Sequence, residues 1–262
     1  MSKPMFLGVI VAGVLVGGVL AGCGGASGSS DVVVAKVGNT PITESTLNHW
    51  TATFVRGDFY SANSSKAPAG LATDPPDYAV CVKASKTLEP ISSSGKPTRS
   101  AAQLEHRCQV LYKLVRAEAL SYLISSLWAV GMSAEIGKHV SDQDVQRYLG
   151  GYIKREYRTQ QAFATYLANR GWSIADMHYI LKRNLLSQQL DPALRHRAAA
   201  LGGGERAYGE AYIASISKWT LKTHCRAGDV VARCKGYKAK PAKTGPGEAS
   251  PAVILEEIAT GR

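Results

Sequence analysis

Five cysteines carry the most specific chemistry in this chain. The first, Cys23, follows Leu20-Ala21-Gly22 at the end of an apolar run that begins at Met5, behind the positive Lys3. A positive start, a hydrophobic stretch and small residues before a cleavage point are the parts of an export signal, and the run is short for a spanning helix of about 20 apolar residues. A thiol at the first mature position is what a diacylglyceryl thioether requires. Residues 1–22 therefore read as a lipoprotein signal peptide, Cys23 as the lipidation site and 23–31 as a Gly/Ser-rich flexible tether. The competing reading is an uncleaved anchor with an incidental cysteine. Either places the body outside the cytoplasm, on the outer face of the cell membrane, and the first makes the membrane a partner through the lipid on Cys23.

The other four, Cys81, Cys108, Cys225 and Cys234, form an even set, which in an oxidising compartment implies two disulfides. Three connectivities are open. Cys81 with Cys108 and Cys225 with Cys234 is favoured because each pair shares a local segment. A metal site competes with this reading, but no CxxC occurs and His224 beside Cys225 is a single imidazole. The six histidines, His49, His106, His139, His178, His196 and His224, are scattered and form neither HExxH nor a nucleophile elbow. Glu256-Glu257 is an adjacent acidic pair, which is not the spacing of a glycosidase. No catalytic residue, metal ligand or cofactor is expected.

The formal charge is +11, and removal of residues 1–22 takes away only Lys3, leaving +10. Such an excess favours anionic partners: lipid headgroups, acidic wall polymers or acidic chain segments. Nucleic acid is the usual alternative, but the export signal and the lack of zinc-finger or RNP-like patterns argue against it.

The elements that must position these residues are mostly helical. Val32–Val37 is a β-branched run ending at Gly38-Asn39, a strand and a turn. A helix follows, capped by Thr43, with Leu47, Trp50 and Phe54 at helical spacing. Tyr60 to Arg99 reads as a long loop with a short helical piece near Cys81. The longest helix begins at Ser100, in capping-box form with Gln103, and runs to about Gly137. Its seam is Leu104, Cys108, Leu111, Val115, Tyr122, Leu123, Leu127 and Val130.

Caps at Ser141, Thr159 and Ser173 announce three more helices, the second ended by Gly171 and the third meeting Asp191-Pro192. After Gly202-Gly203-Gly204 a last helix places Tyr208, Tyr212, Ile216 and Trp219 on one face. Residues 235–262 form a basic, Pro/Gly-rich tail in which Val253-Ile254-Leu255 is a candidate closing strand for the N-terminal one. The expected fold is mainly α, with a small β element from the two chain ends and a helical domain over 32–234.

Several segments resemble the exported SurA and PrsA foldases, especially an actinobacterial lipoprotein branch. Ala35-Lys36-Val37-Gly38-Asn39-Thr40-Pro41-Ile42-Thr43 is similar to the opening strand, turn and helix of SurA-type N-terminal domains. Leu123–Trp128 followed by Val140–Val145 is similar to their central helix and the next cap, and Gly171-Trp172-Ser173 with Ile180-Leu181 to the following helix. The placement of Cys81 and Cys108 also matches, as do Trp219, Thr223, Cys225 and Cys234 at the segment after the isomerase domain. Foldases of this type often carry a parvulin prolyl isomerase between the last two helices. Here that space runs only from about Asp191 to Glu205, too short for a domain with its own core.

The resemblance implies a helical SurA-N-like chaperone that holds unfolded or newly exported polypeptides without turnover. Candidate lining residues are Trp50, Phe54, Tyr122, Trp128, Tyr166, Trp172, Tyr212 and Trp219, although an aromatic on a helix seam is more often core. The alternatives are a structural or adaptor lipoprotein docking one envelope partner through its basic face, and a diverged peptidyl-prolyl isomerase.

Overall fold

A computed structural model describes residues 31–71, 75–88 and 98–239, all within the compact unit Asp31–Arg262. Cys23, the signal peptide and the segment Val253–Leu255 lie outside the described residues. The chain is mainly helical, with a small antiparallel sheet. Strands β1 (Val33–Val37) and β2 (Thr40–Thr43) form a hairpin whose two-residue turn needs Gly38 at φ +57°. Helix α1 (Glu44–Asn63) follows without a break, its Thr43 cap accepting from the Thr46 amide.

Next come α2 (Ala79–Lys86), α3 (Ala101–Glu135), α4 (Asp142–Glu156), α5 (Gln160–Arg170), α6 (Ile174–Ala200) and α7 (Gly204–Leu221). Strand β3 (Thr223–Cys225) returns to the far edge of β1, pairing Ala35 with Cys225 and Val37 with Thr223. The sheet order is β2-β1-β3. The far edge of β1 is thus taken by Thr223–Cys225, a strand that the sequence did not announce. Thr40–Thr43, not expected as a strand, forms β2, with Thr43 capping α1 as expected.

Helix α3 is the spine. At 1.5 Å per residue it runs roughly 50 Å, and α1, α2, α6 and α7 all pack on it. Capping boxes open three helices as expected: Ser100 with Gln103, Ser141 with Asp144 and Ser173 with Asp176 exchange side-chain and backbone bonds. Gly171 closes α5 at φ +63°. Two boundaries differ from the sequence reading. Helix α1 reaches Asn63, into the expected loop, and α6 continues through Pro192, sacrificing one backbone donor, to Ala200. The link from α6 to α7 is therefore only Leu201-Gly202-Gly203.

Three larger apolar clusters hold the helices together, and among the described residues a fourth gathers Tyr78 and Tyr112 around Cys81 and Cys108. One joins β1, α1, α3 and Trp219; a second joins α1 and α3 over Leu71; the third joins α4, α5 and α6. Val130, placed on the seam by its spacing, is instead half exposed, because the seam drifts around so long a helix. Cys81–Cys108 ties α2 to the first turns of α3, and Cys225–Cys234 closes the loop after β3. Crosslinks of this kind stabilise mainly by restricting the unfolded chain.

Candidate functional site

The eight aromatic candidates fall into separate groups. Trp50, Phe54 and Tyr122 pack together where α1, α3 and α6 meet, with Tyr179 as a fourth ring; Trp50 lies 5.1 Å from Tyr122 and 4.9 Å from Tyr179 between centroids. Trp50 is buried, so this group is chiefly core. Its Tyr122 and Tyr179 hydroxyls have their pKa raised, in each case first by burial. His49 on α1 and the buried Asp176 on α6 meet at 2.6 Å beside it. Burial opposes ionisation of Asp176, but hydrogen bonds from Ser173 and His49 outweigh it and hold the carboxyl below its usual value.

Tyr166 and Trp172 belong to a second group built around Arg170, whose guanidinium lies 5.0 Å over Tyr166, 4.9 Å over Trp172 and 5.4 Å over Tyr60. Trp172 is locked in place. Its Nε1 donates to the Thr53 carbonyl at 3.0 Å, and its ring lies so close to Gly57 that a Cβ there would meet it at 2.8 Å. Trp219 is core too, packed over Gly131.

Near Arg170, burial pushes the Asp58 carboxyl up to about 6, Glu118 adds to the rise and Arg170 opposes it. A carboxyl whose folded pKa is raised holds its proton longer in the folded state. Stability therefore falls as pH rises from about 3.8 to about 6, and the penalty is complete above that window. Asp58→Asn should remove it. With the shift discounted for partial exposure, the variant gains about 1 kcal/mol at pH 7.5 and little at pH 4. Paired thermal melts across this range check the trend; a constant gap between the two proteins would contradict it.

Trp128 and Tyr212 are the two candidates that come together on an open cleft. It has a volume of about 290 Å³ and lies between α3, α6 and α7, with Arg233 contributed by the Cys225–Cys234 loop. Met132, Leu190, Leu194 and Ile216 supply apolar walls, and Tyr212, 47% exposed, stands at the rim. The Trp128 indole donates to Thr223 Oγ1 at 2.8 Å, which fixes the floor to β3. Asp191 is engaged: it accepts from Tyr208 Oη and Arg195 Nε, both at 2.8 Å, and these bonds lower its pKa, the one from Arg195 first. Outside the cleft, Ile213 and Leu221 extend the exposed apolar surface of α7.

Arg183 and Arg233 were not legible as site residues. Arg183 lies mid-α6 and stacks 4.9 Å from the Tyr122 centroid, while Arg233 stacks 5.5 Å from that of Trp128. Both line the cleft, and each has a buried Nε without a hydrogen-bond partner. Nothing in local spacing links a mid-helix arginine to one in a distant disulfide loop. A wider hollow of about 370 Å³ between α4 and α6 carries Arg147 and Arg155, but Arg147 is paired with Asp144 and Arg155 with Glu156.

Comparison with protein-family models, curated proteins and solved structures finds no match. Among the described residues no group of three His, Cys, Asp or Glu side chains is placed to hold a metal ion, and no helix is long and apolar enough to cross a membrane.

Proposed function

We propose that this protein is an extracytoplasmic lipoprotein chaperone, tethered through Cys23, that holds unfolded segments of newly exported proteins without turning them over. The observation that carries the reading is the open cleft of about 290 Å³ between α3, α6 and α7, with Trp128 as its floor and Tyr212 at its rim. Its volume is near the lower end of small-molecule pockets. An open cleft of that size suits the side chains of a segment whose backbone runs past it. The resemblance of the sequence Ala35–Thr43 and of the central-helix segment to SurA and PrsA foldases supports the same reading, as does a helix connection of only Leu201-Gly202-Gly203 where a parvulin insert would stand.

The test uses protein lacking residues 1–22 and carrying Cys23→Ser, mixed at increasing ratio with a denatured client diluted into buffer. Light scattering should fall in proportion to chaperone added, while prolyl isomerisation of a reporter peptide stays at the uncatalysed rate. Accelerated isomerisation would point to a diverged isomerase. Inactivity in both assays would favour an adaptor that docks one dedicated envelope partner.

A further inference from the structure

The cleft is not evenly apolar. Arg183 from α6 and Arg233 from the disulfide loop both line it, and among the described residues neither forms an ion pair, whereas Arg195 nearby is matched by Asp191. Each guanidinium carbon lies over an aromatic ring and each Nε has no acceptor, while Arg183 Nη1 makes only a long bond of 3.4 Å to the neighbouring Asn184 side chain. A buried donor left without a partner is costly, and an arginine fork without a counter-ion suits a carboxylate.

Resting on the chaperone reading above, we infer that the cleft selects extended client segments in which an apolar or aromatic residue is followed closely by a carboxylate. The apolar side chain enters over Trp128, and the acid accepts from Arg183 or Arg233. The committed occupant is a segment of another polypeptide. Leu255-Glu256-Glu257-Ile258 of this chain has the same chemistry, so the test must separate the two sources.

The probes are three fluorescein-labelled dodecapeptides of alternating leucine, tyrosine and a third residue that is glutamate, glutamine or lysine. Each is titrated by anisotropy against the Cys23→Ser protein. The glutamate peptide should bind about tenfold tighter than the glutamine one, and the lysine peptide weakest, with the preference shrinking as salt is raised. Arg183→Gln/Arg233→Gln should bring the glutamate-to-glutamine ratio to about one; a circular dichroism melt establishes that the variant is folded, and Arg183→Lys/Arg233→Lys, which keeps the charges, should restore part of the ratio.

Equal binding of all three peptides by the wild type, or an unchanged ratio in the glutamine variant, would overturn the inference while leaving peptide binding itself intact. No binding of any peptide, together with no suppression of aggregation, would bring down the chaperone reading too. If Glu256→Gln/Glu257→Gln in the full chain tightened the glutamate peptide severalfold, the occupant would be this chain's own tail and the inference would fail.

Discussion

Replacing Arg116 by methionine is expected to cost about 3 kcal/mol of folding stability, the scale for removing one partner from a buried charge cluster. Arg116 projects from the middle of α3 with its side chain 13% exposed, and its Nη2 lies 2.9 Å from Asp229 and 2.8 Å from Glu44. Its Nη1 donates to Asn48 at 2.9 Å and its Nε again to Asp229 at 3.2 Å. One guanidinium thus joins the start of α1, the spine and the loop closed by Cys225–Cys234. Asp229 is 7% exposed at its side chain and would be left with Arg226 alone, itself 40% exposed. Burial works against the charge on Arg116, but Tyr112, Asp229 and Glu44 outweigh it and raise its pKa. Arg116→Lys should recover only part of the loss, because an ammonium cannot serve two carboxylates and an amide from one plane. Urea unfolding of the three proteins measures this. A loss below about 0.5 kcal/mol in the methionine variant would show the cluster to be no stronger than a surface pair.

Gly131→Ala should destabilise by a similar amount for a steric reason. A Cβ at Gly131 would stand 1.8 Å from Trp219 Cη2 and 2.2 Å from Cζ2, and the indole is 9% exposed within the core. A rigid ring cannot yield by rotating its far end. Either α7 moves off α3 or Trp219 leaves its site, which costs about 3 kcal/mol, the upper part of the usual overpacking range. The cleft should suffer with it, since Tyr212 and Ile216 ride on the same helix. Gly209→Ala is the control. It lies on α7 with nothing within 4 Å of the new methyl, so it should stabilise by about 0.5–1 kcal/mol through helix propensity. Thermal melts of both variants test the contrast, which fails if the two alanines act alike.

Much of the helical framework was legible because caps are local. Ser100, Ser141, Thr159 and Ser173 each sit three residues before the amide they accept from, and that spacing is visible in the chain. Both disulfides join cysteines within one local segment, so sequence proximity favoured the observed pairs. The sheet was harder. Thr40-Pro41-Ile42-Thr43 is short and contains a proline, and Thr223–Cys225 is only three residues long; neither has enough alternation to signal a strand.

Helical period also identified the aromatic faces but not what covers them. Trp50 and Trp219 follow such spacing and both are core, Trp219 packed on Gly131; Trp172, in the link between α5 and α6, is pinned by Thr53 and Gly57, and of the four only Trp128 borders the open cleft. Those distinctions depend on glycines in partner helices. The cationic half of the cleft needed the fold itself, because α6 and the last disulfide loop bring Arg183 and Arg233 together.

The most direct test of client holding places the photocrosslinking residue benzoylphenylalanine at Tyr212, on the cleft rim, and separately at Ile174, an equally exposed apolar position that opens α6 and does not line the cleft. Each protein is irradiated with a denatured client. Crosslinks from position 212 that disappear when the client is allowed to fold, with few from position 174, are the expected result. Equal yields from both positions, or none from 212, would contradict a chaperone that works through this cleft.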